Sequence, residues 1–202
     1  QNFRLFYNNF VQNHNKGIMT FVNFSTTNNS ISNKVTYDET TGGRITRPEN
    51  INGNWNAMGA FMFNCSIDSA GVWNINTGAH ANYNNYVSYL SLDKKSDSQK
   101  NTTRSITWRQ NLSFSYRNDW AEFSLDGTLT YNKAKNKLQP TSNLETWQFS
   151  YGPSMTLTAP WGTSLNSSLS INSRRGYNDS SMNTDEFVWN AQLSQGFLKG
   201  KP

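Results

Sequence analysis

Residues 106–132, ITWRQNLSFSYRNDWAEFSLDGTLTYN, alternate between two kinds of side chain with a period of two, on both sides of a short break. One set runs Ile106, Trp108, Gln110, Leu112, Phe114 and Tyr116, then Ala121, Phe123, Leu125, Gly127, Leu129 and Tyr131. The other runs Thr107, Arg109, Asn111, Ser113 and Ser115, then Glu122, Ser124, Asp126, Thr128, Thr130 and Asn132. A helix would scatter such a pattern around its circumference, whereas a strand puts each set on its own face. The segment is therefore expected to be a hairpin with a greasy aromatic face and a wet one. The greasy face needs something apolar to lie against, and this requirement constrains the rest of the chain.

The chain supplies little apolar material for that purpose. Only 35% of its 202 residues are hydrophobic, against roughly 45–50% in ordinary globular chains. Mean hydropathy is -0.75. Disorder would account for such polarity, but disordered chains are poor in aromatics, and here aromatics reach 14%, with seven Trp, twelve Phe and nine Tyr. Apolar residues are used sparingly and in register. There are 18 basic and 13 acidic residues, a net charge of +5. The basic residues are scattered apart from pairs such as Lys94-Lys95 and Arg174-Arg175, a solvated surface rather than the basic stripe that nucleic acid requires. A single cysteine, Cys65, excludes an intrachain disulfide and a thiolate metal cluster. No run of about 18 apolar residues provides a transmembrane helix; that does not bear on a β-barrel.

Period two recurs almost everywhere. It predicts nine strands, near 2–11, 18–36, 46–65, 71–90, the two arms of the 106–132 hairpin, 145–159, 163–173 and 185–198. In the third, Ile51, Gly53, Trp55, Ala57, Gly59, Phe61 and Phe63 form one set; the second is ambiguous in face. Connections alternate in length: short near 12–17, 67–71, 117–119 and 160–163, longer near 37–45, 91–102, 133–143 and 174–184. An up-and-down meander sorts its turns to one end and its loops to the other, as transmembrane barrels do, whereas Greek-key sandwiches have no reason to. The strands mostly exceed the ~5–6 residues usual in soluble sheets and reach the ~9–11 that a tilted span needs. Aromatics gather near strand ends: Trp108, Tyr131, Trp147 and Trp189 toward the loops, and Tyr116, Trp120, Phe123 and Trp161 toward the turns, as interfacial girdles would. The expected fold is an all-β antiparallel up-and-down meander of about nine long strands, a single unit over 1–202 forming part of a transmembrane β-barrel.

Catalytic and metal motifs are lacking. His14 falls in a short turn and His80 on a polar strand face, and no Gly-x-Ser-x-Gly elbow, Walker loop, EF-hand or His-x-x-x-His spacing occurs. No enzymatic activity, cofactor or metal is expected. The candidates for contact with a solute are Arg109, Glu122 and Asp126. Glu122 and Asp126 lie four residues apart on one face, roughly 13 Å, too far to share a proton. Arg109, in the neighbouring strand on the same face, is expected to pair with one of them.

Several short stretches, TRPENINGNW (46–55), SYRNDW (115–120), APWG (159–162), NSRRGY (172–177) and WNAQLSQGFLKGK (189–201), occur in an order and spacing that resembles the TonB-dependent-receptor-like outer-membrane β-barrel proteins. The resemblance spans essentially the whole chain. It implies the outer membrane of a Gram-negative bacterium, a barrel of about twenty-two strands, and energised uptake of a bulky ligand. The partners it implies are the lipid bilayer with its lipopolysaccharide, the remaining strands and plug of the parent barrel, a TonB-type energising protein and a surface lipoprotein, with no nucleic acid. Nine strands that start and stop mid-pattern, with no plug or closing strands, are expected to be a segment of such a barrel. The competing reading is a soluble or secreted all-β module, a sandwich that binds glycans through exposed Trp and Tyr; it requires a core between two sheets. A third, a hydrolytic barrel enzyme, wants a Ser/His or Asp/His cluster near a rim, and His80 has no evident partner for it.

Overall fold

A computed structural model of the chain describes residues 1–12, 15–38, 40–91 and 96–196. His14, Lys94, Lys95 and Phe197 lie outside the described residues. The chain forms strands throughout: β1 (Asn2–Val11), β2 (Lys16–Thr27), β3 (Ser30–Tyr37), β4 (Arg44–Ile51), β5 (Asn54–Ser66), β6 (Trp73–Leu90), β7 (Gln99–Arg117), β8 (Ala121–Asn136), β9 (Leu144–Thr158), β10 (Thr163–Arg175) and β11 (Asp185–Gln195). Nine of them make one antiparallel sheet in the order β1-β2-β5-β6-β7-β8-β9-β10-β11, and β3 and β4 pair separately. The meander is thus the expected one, with a hairpin inserted between its second and third strands.

That insertion corrects two expected strands. Residues 18–36 and 46–65 each read as one strand, but the chain turns inside each. Asn29 takes a positive φ of 53°, and Gly53 sits at 111°, a left-handed backbone that glycine enters without Cβ strain. The Asn52 side chain accepts from the Asn29 N–H at 2.5 Å and so ties the two turns together. Ile51 consequently leaves the set that contains Trp55 and is buried at the base of the hairpin, opposite Ser30. The other long connections are also shorter than expected. β6 and β7 run on past their neighbours, reducing 91–102 to 91–98, and β8 and β10 extend to Asn136 and Arg175. The tight turns that join neighbouring strands of the nine-stranded sheet still lie at one end, and the longer connections, with the β3–β4 insertion, at the other.

The register carries the 106–132 pattern across the sheet. Directly opposed residues share a face in an antiparallel pair. The rows Phe24–Ala57–Tyr83–Ile106 and Ile75–Phe114–Leu125–Pro153 each cross four strands, and Leu165 pairs with both Leu157 and Leu193. One apolar face therefore runs unbroken from β1 to β11. The opposite face is mostly Asn, Ser, Thr and Gln with a few charged residues such as Arg109, Asp126 and Arg174, except near β1, β2 and β5, where Phe6, Phe21 and Ala60 form one row and Met19 and Met62 another. Both faces are apolar there, which is why the second strand reads ambiguously in sequence.

Among the described residues no second layer covers the apolar face. Among the described residues the only buried hydrophobic side chains are Ile51, Val87 and Ala121. The accessible surface is 13990 Å², whereas a compact monomer of 23.0 kDa would expose about 9,600 Å². The excess is the uncovered sheet. Its aromatics cluster toward the two ends. Trp73 stacks against Phe114 at 5.3 Å and packs on Tyr116 at 4.6 Å on the turn side. Trp55 stacks on Tyr83 at 5.0 Å, and Tyr131 lies 4.3 Å from Trp147, on the loop side. Trp189 departs from the expected girdle: it is the fifth residue of β11, opposite Leu169 and well inside the strand.

Candidate functional site

On the polar face, β7 to β11 form a cup of about 500 Å³. Its residues fall into adjacent rows. Arg109 opposes Thr130, Thr130 opposes Gln148, and Gln148 opposes Arg174. In the next row Thr128 opposes Ser150, Ser150 opposes Asn172, and Asn172 opposes Glu186. Arg109 and Arg174 are therefore three strand spacings apart, roughly 14 Å at about 4.8 Å each. Among the described residues neither arginine has a carboxylate partner. Gln148 is fixed by its side-chain N–H, which donates to the Tyr177 hydroxyl at 2.5 Å. Tyr177 belongs to the connection before β11, which Asn183 holds through both Tyr177 N–H (2.9 Å) and Tyr177 C=O (3.0 Å).

The three residues singled out from sequence share this face but do not come together. Arg109 does not pair with Glu122 or Asp126. Register sets it opposite Thr130 and His80, while Asp126 opposes Ser113, four residues further along β7. Glu122 engages Arg117 at 3.6 Å beside the tight turn. Asp126 accepts from the Ser124 hydroxyl at 2.6 Å. Of the three only Arg109 reaches the cup. Its companions Gln148, Arg174 and Glu186 were not foreseen: they are distant in sequence, and Arg174 falls in a stretch that reads as loop. Only the strand register, absent from composition and periodicity, unites them.

Two guanidinium groups, a carboxylate and a ring of hydroxyls and amides can hydrogen-bond a polar solute. Among the described residues no group of three or more His, Cys, Asp and Glu could hold a metal ion. His80 faces Arg109 and Ala60 across its two neighbouring strands. Comparison with protein-family models, with curated proteins and with solved structures gave no match.

Proposed function

We propose that the chain forms part of the wall of an outer-membrane β-barrel of the TonB-dependent receptor or transporter type, in a Gram-negative bacterium. The apolar face lies against lipid, and the polar face lines a passage for the ligand. The observation that carries the reading is the continuous apolar face of nine strands with no protein layer over it. Spacing supports it. Trp73 and Tyr83, members of the two aromatic clusters, are ten residues apart on β6. At ~3.3 Å per residue and a tilt of ~40° this gives about 25 Å, the height of a barrel's apolar band. A glycan-binding sandwich would need a core between two sheets, and three buried hydrophobic residues do not make one. On this reading both edge strands, β1 and β11, pair with further strands of the parent barrel, because unpaired edge groups cannot face lipid. The Arg109–Arg174 cup then belongs to the passage.

Nitroxide labels placed singly along β7 and β8 in reconstituted protein test this assignment. Labels at 108, 112, 125 and 129 are expected to be accessible to oxygen, which partitions into lipid, and labels at 109 and 126 to a water-soluble relaxant. Uniform access of the water-soluble relaxant to both sets would overturn it.

A further inference from the structure

Arg104 and Lys135 stand directly opposite each other on β7 and β8, and both are exposed. Like charges in that position repel across the strand pair. The carboxylate whose charge reaches Lys135, Glu145, is held by two other groups, the Lys133 ammonium at 2.5 Å and the Tyr131 hydroxyl at 2.8 Å. Arg104 Nε donates to a neutral acceptor, Asn85 Oδ1, at 3.3 Å. The alternation places Arg104 and Lys135 on the apolar face, in line with Trp108 and Tyr131, which also oppose each other. They sit four residues beyond that aromatic row, roughly 13 Å along the strands on the loop side. Lys100 and Lys137 are exposed further out on the same strand ends.

Aromatic clusters mark the headgroup level of a bilayer, and Arg104 and Lys135 continue the row of Trp55 and Asn85, which sets them level with the loop-side cluster and at the depth of lipid phosphates. We propose that Arg104 and Lys135 form a binding site for the phosphate of an anionic lipid headgroup on the outer surface of β7 and β8. The anion relieves the cross-strand repulsion and supplies the acceptors that the protein does not. The site rests on the lipid-facing assignment made above and adds to it a preference among lipids.

The chain is reconstituted in phosphatidylcholine vesicles carrying a trace of spin-labelled phosphatidylglycerol or spin-labelled phosphatidylcholine, and the motionally restricted fraction of each label is measured. The restricted shell is expected to favour phosphatidylglycerol several-fold, about fivefold for each basic residue in contact. The R104Q/K135Q pair should bring the two labels to near parity, and R104K/K135R should keep the preference. The K16Q/R117Q pair, which removes the same charge at the turn end, should also keep it. Full preference in R104Q/K135Q, or equal loss in K16Q/R117Q, overturns the site. Loss of the preference in inorganic phosphate, but not in sodium chloride of the same ionic strength, would assign the site to free phosphate and overturn the lipid. A restricted shell without headgroup preference sinks this inference alone; no restricted shell for either label sinks the lipid-facing assignment beneath it.

Discussion

Gly152 and Pro153 occupy the middle of β9, flanked by strands on both sides, a place where proline is rarely found because it cannot donate to the ladder. The β8–β9 ladder nevertheless continues through both residues, with Gly152 opposite Asp126 and Pro153 opposite Leu125. On the β10 side pairing stops at Ser154–Ser168 and resumes at Tyr151–Ile171. The missing proline donor thus coincides with a gap in one ladder only. Gly152 lets β10 close over that gap, since a Cβ there would run into the Leu169 carbonyl. Gly127, by contrast, has nothing nearer than 4.0 Å to its notional Cβ. Gly152→Ala is expected to destabilise the folded chain by about 1–3 kcal/mol, as overpacking does, and Gly127→Ala to leave it nearly unchanged. Urea titration in detergent, followed by tryptophan fluorescence, measures both. Equal midpoints would mean that β10 shifts freely and that the close approach carries no constraint.

At the scale of elements, the β3–β4 hairpin and the end of β6 hold two of the three buried hydrophobic side chains among the described residues, Ile51 and Val87. The hairpin packs on the overhanging end of β6: the Tyr89 N–H donates to Ser32 Oγ at 3.2 Å, and the Ser98 backbone N–H to the Val35 carbonyl at 2.8 Å. Ile51→Ala should cost about 2–5 kcal/mol of local stability, read as faster amide exchange at Tyr89 with the β7–β8 pairing unchanged. A gentler control acts through Glu49, whose carboxyl is held below its ordinary value of 4.5 by the Lys34 ammonium at 3.2 Å and then by the Tyr89 hydroxyl. A lowered carboxyl pKa stabilises the folded form fully above the ordinary value and stops doing so as pH falls through the lowered one. Docking of the hairpin should loosen modestly on acidification below pH 4.5, and Glu49→Gln should remove that pH dependence. Amide exchange at Tyr89 between neutral and acidic pH decides it; an unchanged pH profile in the variant would show that Glu49 is not the titrating group.

This hairpin also marks what periodicity can and cannot convey. Alternation of period two identified the sheet strands because each buries or exposes whole faces. It could not see the turns at Asn29 and Gly53, because Ile51, Gly53 and Trp55 keep their phase through the bend. The cup was less legible still. Arg109 stands out as a charge on a strand, but its place in one cup with Arg174 and Glu186 depends on how five strands align, and the sequence carries that information only jointly.

For the whole molecule, the question is what covers the apolar face, and a surface of 13990 Å² with three buried hydrophobic residues makes it quantitative. Leu112 is 55% exposed at the middle of that face, and Thr128 lines the cup on the other. In water an exposed leucine is replaced by arginine at little cost, since surface substitutions stay within about 0.5 kcal/mol. In a bilayer the same arginine near the midplane costs about 2–4 kcal/mol, whereas a lumen position tolerates it. Leu112→Arg is therefore expected to destabilise the protein by that amount in lipid vesicles, and Thr128→Arg to leave it nearly unchanged. Two features make the comparison sharp. Leu112 lies between Thr77 and Gly127 in its row, so no neighbouring carboxylate can neutralise the new charge. It also lies midway along β7 between Trp108 and Tyr116, too deep for a guanidinium to reach either aromatic row without distorting the strand. Folding midpoints of the two variants in vesicles measure the difference. A Leu112→Arg chain as stable as Thr128→Arg would mean that water, not lipid, meets the face that the 106–132 alternation builds.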